Sequence, residues 1–357
     1  MDLALPGAEA IATHTDQPAH SWRTGRIAAG PSAPALIPVH ILTGFLGSGK
    51  TTLLNRALAG GFGDDTAVIV NEFGDVGLDD LFVQSRSEET IVLKSGCICC
   101  RLRGDIPSAL LGILGMRTPS QQPFRRIVIE TSGISEPVPI LQTLRNDFSL
   151  RTRFEAGAIV CSVGAIDGAL SDARPEALAQ ITAADALVIT KSDLVHEPQV
   201  AALGEALARL NPLADTLTAP GADVAGWLLG HEAGSQRLTR VPKRASLRPG
   251  QGGGDEHAVR SVVIRADAPP SWPQFAVWLT RLVHVHGDRI LRIKGLLHDT
   301  DRGVWIGIHG VKRFIYPPVH LRLPEPPADG TSLVFITEGL DPELIAASFR
   351  RLTGGPG

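Results

Sequence analysis

The chain has 357 residues with 34 Lys and Arg against 37 Asp and Glu, and its net charge of −3 excludes a global positive field that would draw it to nucleic acid or an anionic membrane. Hydrophobic residues make up 43% and charged residues 20%, which is ample for a soluble globular core, and the length suggests two domains. No apolar run approaches the roughly 18 residues that span a bilayer. Asp2, Glu9, His14 and Asp16 interrupt any secretory leader core, so the expected location is cytoplasmic. Of four cysteines three are crowded together, which is not a disulfide framework.

Residues 1–35 are rich in Ala, Pro, Gly, Ser and Thr without a clear period and read as a disordered extension. From 36 to 230 strand and helix patterns alternate. Strands are expected at 39–43, 67–70, 90–93, 127–130, 158–163 and 186–190, and helices at 51–58, 106–114, 138–144, 175–183 and 200–210. That alternation predicts an α/β fold, a mainly parallel sheet with helices on both faces. Ligands of such sheets sit beyond the carboxyl ends of the strands. Residues 231–257 contain Pro242, Pro249 and a Gly-rich run and read as a linker. Residues 258–351 then form a small α+β domain, with strands at 259–265, 289–295, 304–309 and 332–337 and helices at 271–283 and 342–351.

The first expected strand runs into Gly44-Phe45-Leu46-Gly47-Ser48-Gly49-Lys50-Thr51, which fits the phosphate-loop pattern G-x-x-x-x-G-K-[ST] at every fixed position. Gly44, Gly47 and Gly49 let the backbone wrap an anion, successive N–H groups including that of Ser48 point at it, and the following helix adds its positive end. Lys50 is expected to reach the β- and γ-phosphates, and the Thr51 hydroxyl to take one position on Mg²⁺.

The second strand leads into the acidic, Gly-containing stretch Asn71-Glu-Phe-Gly-Asp-Val-Gly-Leu-Asp79. It is a candidate switch segment that senses γ-phosphate and Mg²⁺, with Glu72 or Asp75 holding the metal or orienting the attacking water. Next come Cys97, Cys99 and Cys100, three thiols within four residues. Adjacent Cα atoms lie only about 3.8 Å apart, too close for an ordinary bridge. Three thiolates on a turn suit a soft or borderline metal, Zn²⁺ above all, with Cu(I) and Co²⁺ as alternatives. The open fourth position suits a metal that must leave again; water, Asp75, Glu72 or a partner can fill it. Cys161 stands alone in an apolar strand and reads as core.

Glu130 closes the fourth strand and is followed by Thr-Ser-Gly133-Ile-Ser-Glu136-Pro137. A carboxylate there matches the Walker B position, which holds Mg²⁺ through water, and Gly133 allows close approach to the γ-phosphate. Thr190-Lys191-Ser192-Asp193 follows the sixth strand. The Asp193 carboxylate can accept two hydrogen bonds from the guanine edge, while Lys191 lies along base and ribose. Asp193 favours GTP, and because Thr190 stands where the motif usually has Asn, ATP stays open. Histidines 284, 286, 298, 309 and 320 are irregularly spaced and read as edge or core residues rather than ligands.

In this order the motifs at 44–51, 71–79, 96–100, 130–137 and 190–193 resemble the CobW family of metal-handling P-loop GTPases, and the resemblance extends over about residues 37–350. It implies a GTP-hydrolysing metallochaperone that passes Zn²⁺ from the Cys-x-Cys-Cys site to a client metalloprotein. Gly47, Gly49, Lys50, Thr51 and Thr52 would bind nucleotide, and Cys97, Cys99 and Cys100 the metal. Other readings are a nucleotide- and zinc-gated sensor or adaptor, and a cobalt or iron chaperone for cobalamin synthesis or a nitrile hydratase. The second domain suits client recognition or homodimer formation. The chain departs from the family pattern at Asp75, where Glu is usual, at Gly164, where the fifth strand usually ends in Asp, and in lacking a His-rich linker.

Overall fold

Why the first strand occupies the interior of its sheet is visible in its composition: β1 (Ile37–Gly44) is buried at every position after the first, so both of its faces must be covered. The structure is a computed structural model that describes residues 36–60, 62, 65–70, 83–87, 90–93, 98–101, 105–116, 123–166, 174–230, 259–321 and 330–354. The expected extension 1–35, the linker 231–257, the candidate switch residues Glu72 and Asp75, and Cys97 lie outside the described residues.

After β1 come α1 (Lys50–Gly60), β2 (Thr66–Val70), β3 (Val83–Ser87), β4 (Thr90–Leu93), β5 (Ile98–Arg101), α2 (Ile106–Gly115) and β6 (Arg126–Glu130). The chain continues through α3 (Val138–Asn146), the single turn α4 (Phe148–Arg151), β7 (Phe154–Gly164), α5 (Pro175–Ala183), β8 (Ala186–Thr190), α6 (Glu197–Leu210), β9 (Asp215–Thr218) and α7 (Val224–Gly230). Starts are marked chemically. Asp105 caps α2 by accepting from Ser108 N at 2.9 Å, and His196 with Gln199 forms a capping box on α6.

These strands form one sheet in the order β3-β4-β5-β2-β6-β1-β7-β8-β9. From β5 to β9 all neighbours are parallel, while β3 and β4 add an antiparallel edge. Helices cover both faces, as expected. Leu110, Leu141, Ile181 and Leu207 pack on one side with Val39 and Ile41 of β1; Leu53, Leu54, Val224 and Leu228 pack on the other with Leu42. β3 and β9 carry little apolar signal (Val-Gln-Ser-Arg-Ser and Asp-Thr-Leu-Thr), and neither was expected from sequence. Nor was β5: Cys99 and Cys100 lie in a strand paired with β2, not in a turn.

The second sheet comprises β10 (Val259–Ala266), β11 (Ile290–Asp299), β12 (Val304–Val311), β13 (Phe314–Ile315), β14 (Val319–Leu321) and β15 (Thr331–Glu338). It is antiparallel, ordered β10-β15-β11-β12-β13 with β14 also on β12. Helices α8 (Trp272–His286) and α9 (Pro342–Leu352) cover one face by packing Phe275, Trp278 and Phe349 with Phe335 of β15, the Trp278 and Phe349 rings edge-on at 5.2 Å.

Leu36–Gly357 clusters as one compact unit, because the second sheet also packs on α3 and α5, which cover the first. Val311 and Phe314 belong to the same apolar cluster as α3, and Leu213 joins Leu291, Val334 and Ile336. Arg292, fully buried, donates to Ala183 O and to the Asp185 carboxylate, whose other oxygen accepts from Ile159 N at 3.0 Å. Burying a guanidinium is tolerable only with such partners, since a lone buried charge costs several kcal/mol or more. Among the described residues no helix is long and apolar enough to cross a membrane.

Candidate functional site

The phosphate loop leaves β1 between its two parallel neighbours. β6 lies between β1 and β2, and β7 flanks the other side, so connections diverge around the carboxyl end of β1, where open α/β sheets bind ligands. Gly44 has φ +145°, and a Cβ there would sit 2.3 Å from Ser162 Oγ and 2.6 Å from Ser48 Oγ. Gly47 and Gly49 follow with φ +73° and +86°. The three glycines therefore stand where L side chains would strain or collide.

The loop is tied to its surroundings by hydroxyls. Ser48 and Ser162 share a hydrogen bond of 2.6 Å, and Thr190 Oγ1 donates to Ser48 O at 2.6 Å. Lys50, 8% exposed, folds over the loop and donates to Gly44 O at 3.0 Å and Phe45 O at 3.3 Å. A phosphate bound in the loop would compete for that ammonium. Thr51 Oγ1 donates to Glu130 Oε1 at 2.7 Å, and Glu130 is 2% exposed. A hydroxyl and a buried carboxylate converging at a helix start form an oxygen donor pair that fits a hard cation such as Mg²⁺. Thr52, the next residue of α1, is exposed.

Gly133 has its close neighbour in the phosphate loop itself: a Cβ there would lie 2.7 Å from Leu46 N and Cα. The loop after Glu130 is thus packed directly on Leu46. Ser132 and Ser135 hydroxyls bond at 2.6 Å, and the fully buried Gln180 of α5 donates to Gly133 O and Ser135 O at 3.2 and 3.0 Å.

At the far side, Lys191 adopts φ +55° and begins the 3-10 turn Ser192–Leu194. Asp193 is exposed, and Ser192 Oγ donates to Ala219 O in the loop after β9. Thr190 points back at the phosphate loop rather than outward, so the Asn-to-Thr departure leaves a tether in place. Ser162, not a carboxylate, is the polar group that β7 offers to the loop; Gly164 pairs with Thr190 at the strand end.

The backbone register links this site to the cysteine strand. Arg101 is level with Val70, and Val70 with Glu130; Cys100 is level with Ile69 and Ile129. Two strand spacings, roughly 10 Å, separate β5 from β6. Among the described residues no group of three or more His, Cys, Asp or Glu could hold a metal. His309 stacks flat on Tyr316 with ring centres 4.1 Å apart, and His298 stacks on Trp305 at 4.6 Å, so these two histidines are packing residues.

Cys161 sits in β7, 1% exposed, and burial pushes its thiol up to about 12. Because the raised value favours the neutral form, Cys161 is expected to stay a thiol up to alkaline pH. Iodoacetamide at pH 8 should label the native protein without modifying Cys161, and modify it only after denaturation; rapid native labelling at 161, read by peptide mass, would contradict its placement.

A model of the CobW/HypB/UreG nucleotide-binding domain matches residues 38–218, and a model of the cobalamin synthesis protein cobW C-terminal domain matches residues 259–353. The chain belongs to the CobW family. It is 31% identical over 323 residues to the zinc chaperone YjiA of Escherichia coli, covering 88% of this chain and 98% of that one. It is 36% identical over 186 residues to the zinc-regulated GTPase metalloprotein activator 1 of Schizosaccharomyces pombe, covering 50% of this chain and 44% of that one. The crystal structure of Zn(II)-bound YjiA GTPase from E. coli superposes with a TM-score of 0.71 over 89% of this chain and 99% of that chain, at 31% identity.

Ser162, Gln180 and the Ser192–Ala219 link were not singled out from sequence. Ser162 alone had a signal, a hydroxyl interrupting an apolar strand near its carboxyl end. Gln180 looks like any helical glutamine until the fold buries it.

Proposed function

We propose that this CobW-family member is a GTP-hydrolysing metallochaperone that holds Zn²⁺ at Cys97, Cys99 and Cys100 and delivers it to a client metalloprotein. The observation that carries the reading is the shared register of β5, β2 and β6, which sets the strand of Cys99 and Cys100 two strands from Glu130 in one sheet. The names of the relatives in E. coli and S. pombe support zinc as cargo and GTP as nucleotide. A reducing cytoplasm suits thiolate chemistry of this kind.

In this reading residues 36–230 are the GTPase unit. The N–H groups of residues 44–52, with Lys50, hold the phosphates, and Lys191 and Asp193 hold guanosine. Thr51 and Glu130 would hold Mg²⁺, which supplies charge neutralisation on the phosphates. Glu72 and Asp75, next along the chain from β2, sense the γ-phosphate. Residues 258–351 present the surface that meets the client. Hydrolysis changes access to the thiolates through the segment that joins β2 to β5, so zinc and GTP affinities depend on one another.

The test is zinc binding by competition with a chromogenic chelator, on wild type and Cys99→Ala, each with a GTP analogue, GDP and no nucleotide. Tight wild-type binding that the substitution abolishes and the nucleotide alters is the expected result. Tight binding indifferent to nucleotide would replace the chaperone by a static sensor or adaptor. Absence of tight zinc binding, with Co²⁺ or Fe²⁺ bound instead, would change the cargo.

A further inference from the structure

Helix α3 is fastened at both ends to the second sheet. At its start, Lys312 Nζ donates to Glu136 Oε2 at 2.7 Å, with side chains 26% and 39% exposed. At its end, Arg145 donates to Ile315 O at 2.8 Å, and its guanidinium lies 5.7 Å from the Phe314 ring centre. Between these points Val138, Ile140, Leu141 and Leu144 share one apolar cluster with Val311 and Phe314.

The position of Lys312 is set from the other side. It stands at φ +50° in the turn between β12 and β13. The next residue, Arg313, bonds both Asp288 carboxylate oxygens at 2.7 and 2.6 Å and His284 O at 3.0 Å, at the end of α8. That bidentate pair holds the Asp288 carboxyl below the usual carboxylate range.

Glu136 is the last acidic residue of the loop that starts at Glu130, and that loop has little room to absorb a displacement. Gly133 abuts Leu46 of the phosphate loop, and Gln180 grips the carbonyls of Gly133 and Ser135. A shift imposed on residues 131–135 by the phosphates therefore arrives at Glu136 and α3. Close-packed segments of this kind move together rather than deform.

We infer that Lys312 is a positioning residue for GTP hydrolysis: through Glu136 it holds the loop after Glu130, and it makes the β12–β13 hairpin the part of the second domain that follows nucleotide state. The inference rests on the GTPase reading above. By reciprocity, a partner that shifts the hairpin changes the preference between GTP and GDP.

The experiment uses the full chain as wild type, Lys312→Glu, Glu136→Lys and the double exchange. Affinities for a GTP analogue and GDP, single-turnover hydrolysis, and hydrogen exchange over residues 309–316 are measured on each. The wild-type hairpin is expected to exchange differently with analogue and with GDP. Each single reversal should change the analogue-to-GDP affinity ratio by about threefold or more and slow hydrolysis. The double exchange, which restores an opposite-charge pair, should recover both. A purely structural pair would lower thermal stability without touching the ratio, and that result overturns the inference, as does identical hairpin exchange in wild type with either nucleotide bound. If wild type binds neither nucleotide, the GTPase reading falls and this inference falls with it.

Discussion

Lys50→Ala is expected to lower GTP turnover at least about 10²-fold, equivalent to about 2.7 kcal/mol of transition-state stabilisation. The lysine is 8% exposed and opens α1, with its ammonium held over the phosphate loop by Gly44 O and Phe45 O. No other cation is supplied by residues 44–51. Charge on the γ-phosphate oxygens grows towards the transition state, so a positioned ammonium acts there more strongly than in the ground state. Alanine is the best helix former, and the loop geometry depends on glycines and hydroxyls rather than on Lys50, so the variant should fold. Single-turnover hydrolysis alongside circular dichroism checks both halves. Wild-type turnover by folded Lys50→Ala would show that the loop is not the phosphate site.

Asp193→Asn is expected to weaken guanine-nucleotide affinity about 10²-fold while gaining affinity for xanthosine nucleotides. Guanine presents two N–H donors on one edge. A carboxylate accepts both, whereas an amide accepts one and sets its own N–H₂ against the other; xanthine carries a carbonyl at that position. Asp193 is exposed in the 3-10 turn after β8 and so is free to face a base. Thr190→Val is the contrasting variant. Its hydroxyl serves Ser48 O at 2.6 Å, so its loss should cost about 1 kcal/mol, or about fivefold in affinity, for any nucleotide alike. Fluorescent nucleotide titrations with GDP, ADP and xanthosine diphosphate separate the two roles. Equal ADP and GDP affinity in wild type would sink the guanine assignment.

Much of the site was legible because its chemistry is local. The glycine spacing, Lys50 and Thr51 belong to one strand-loop-helix unit, and Glu130 closes an apolar strand; each is a short stretch whose meaning does not depend on distant residues. The role of Thr190 was not legible in the same way. Sequence marked it only as the first residue of the base-binding motif, and the structure turns its hydroxyl to the phosphate loop, because β8 runs parallel to β7 and ends level with Gly164. The cysteine strand was read as a turn, since Ile-Cys-Cys-Arg has no alternation to mark it and its strand character comes from pairing with β2 and β4.

What the sequence determined by itself was the parallel α/β sheet, the phosphate loop, the carboxylate beside it, the cysteine motif and the small second domain. Apolar runs, glycine spacing and capping residues act over a few positions and carry those features without tertiary context. Only the tertiary structure decided which residues hold that machinery together: Ser162 and Thr190 on the loop, Gln180 on the segment after Glu130, Arg292 on Asp185, and Lys312 on Glu136. Their partners lie far along the chain, and a polar side chain acquires its meaning from burial and from the strand order that brings such partners within hydrogen-bond reach.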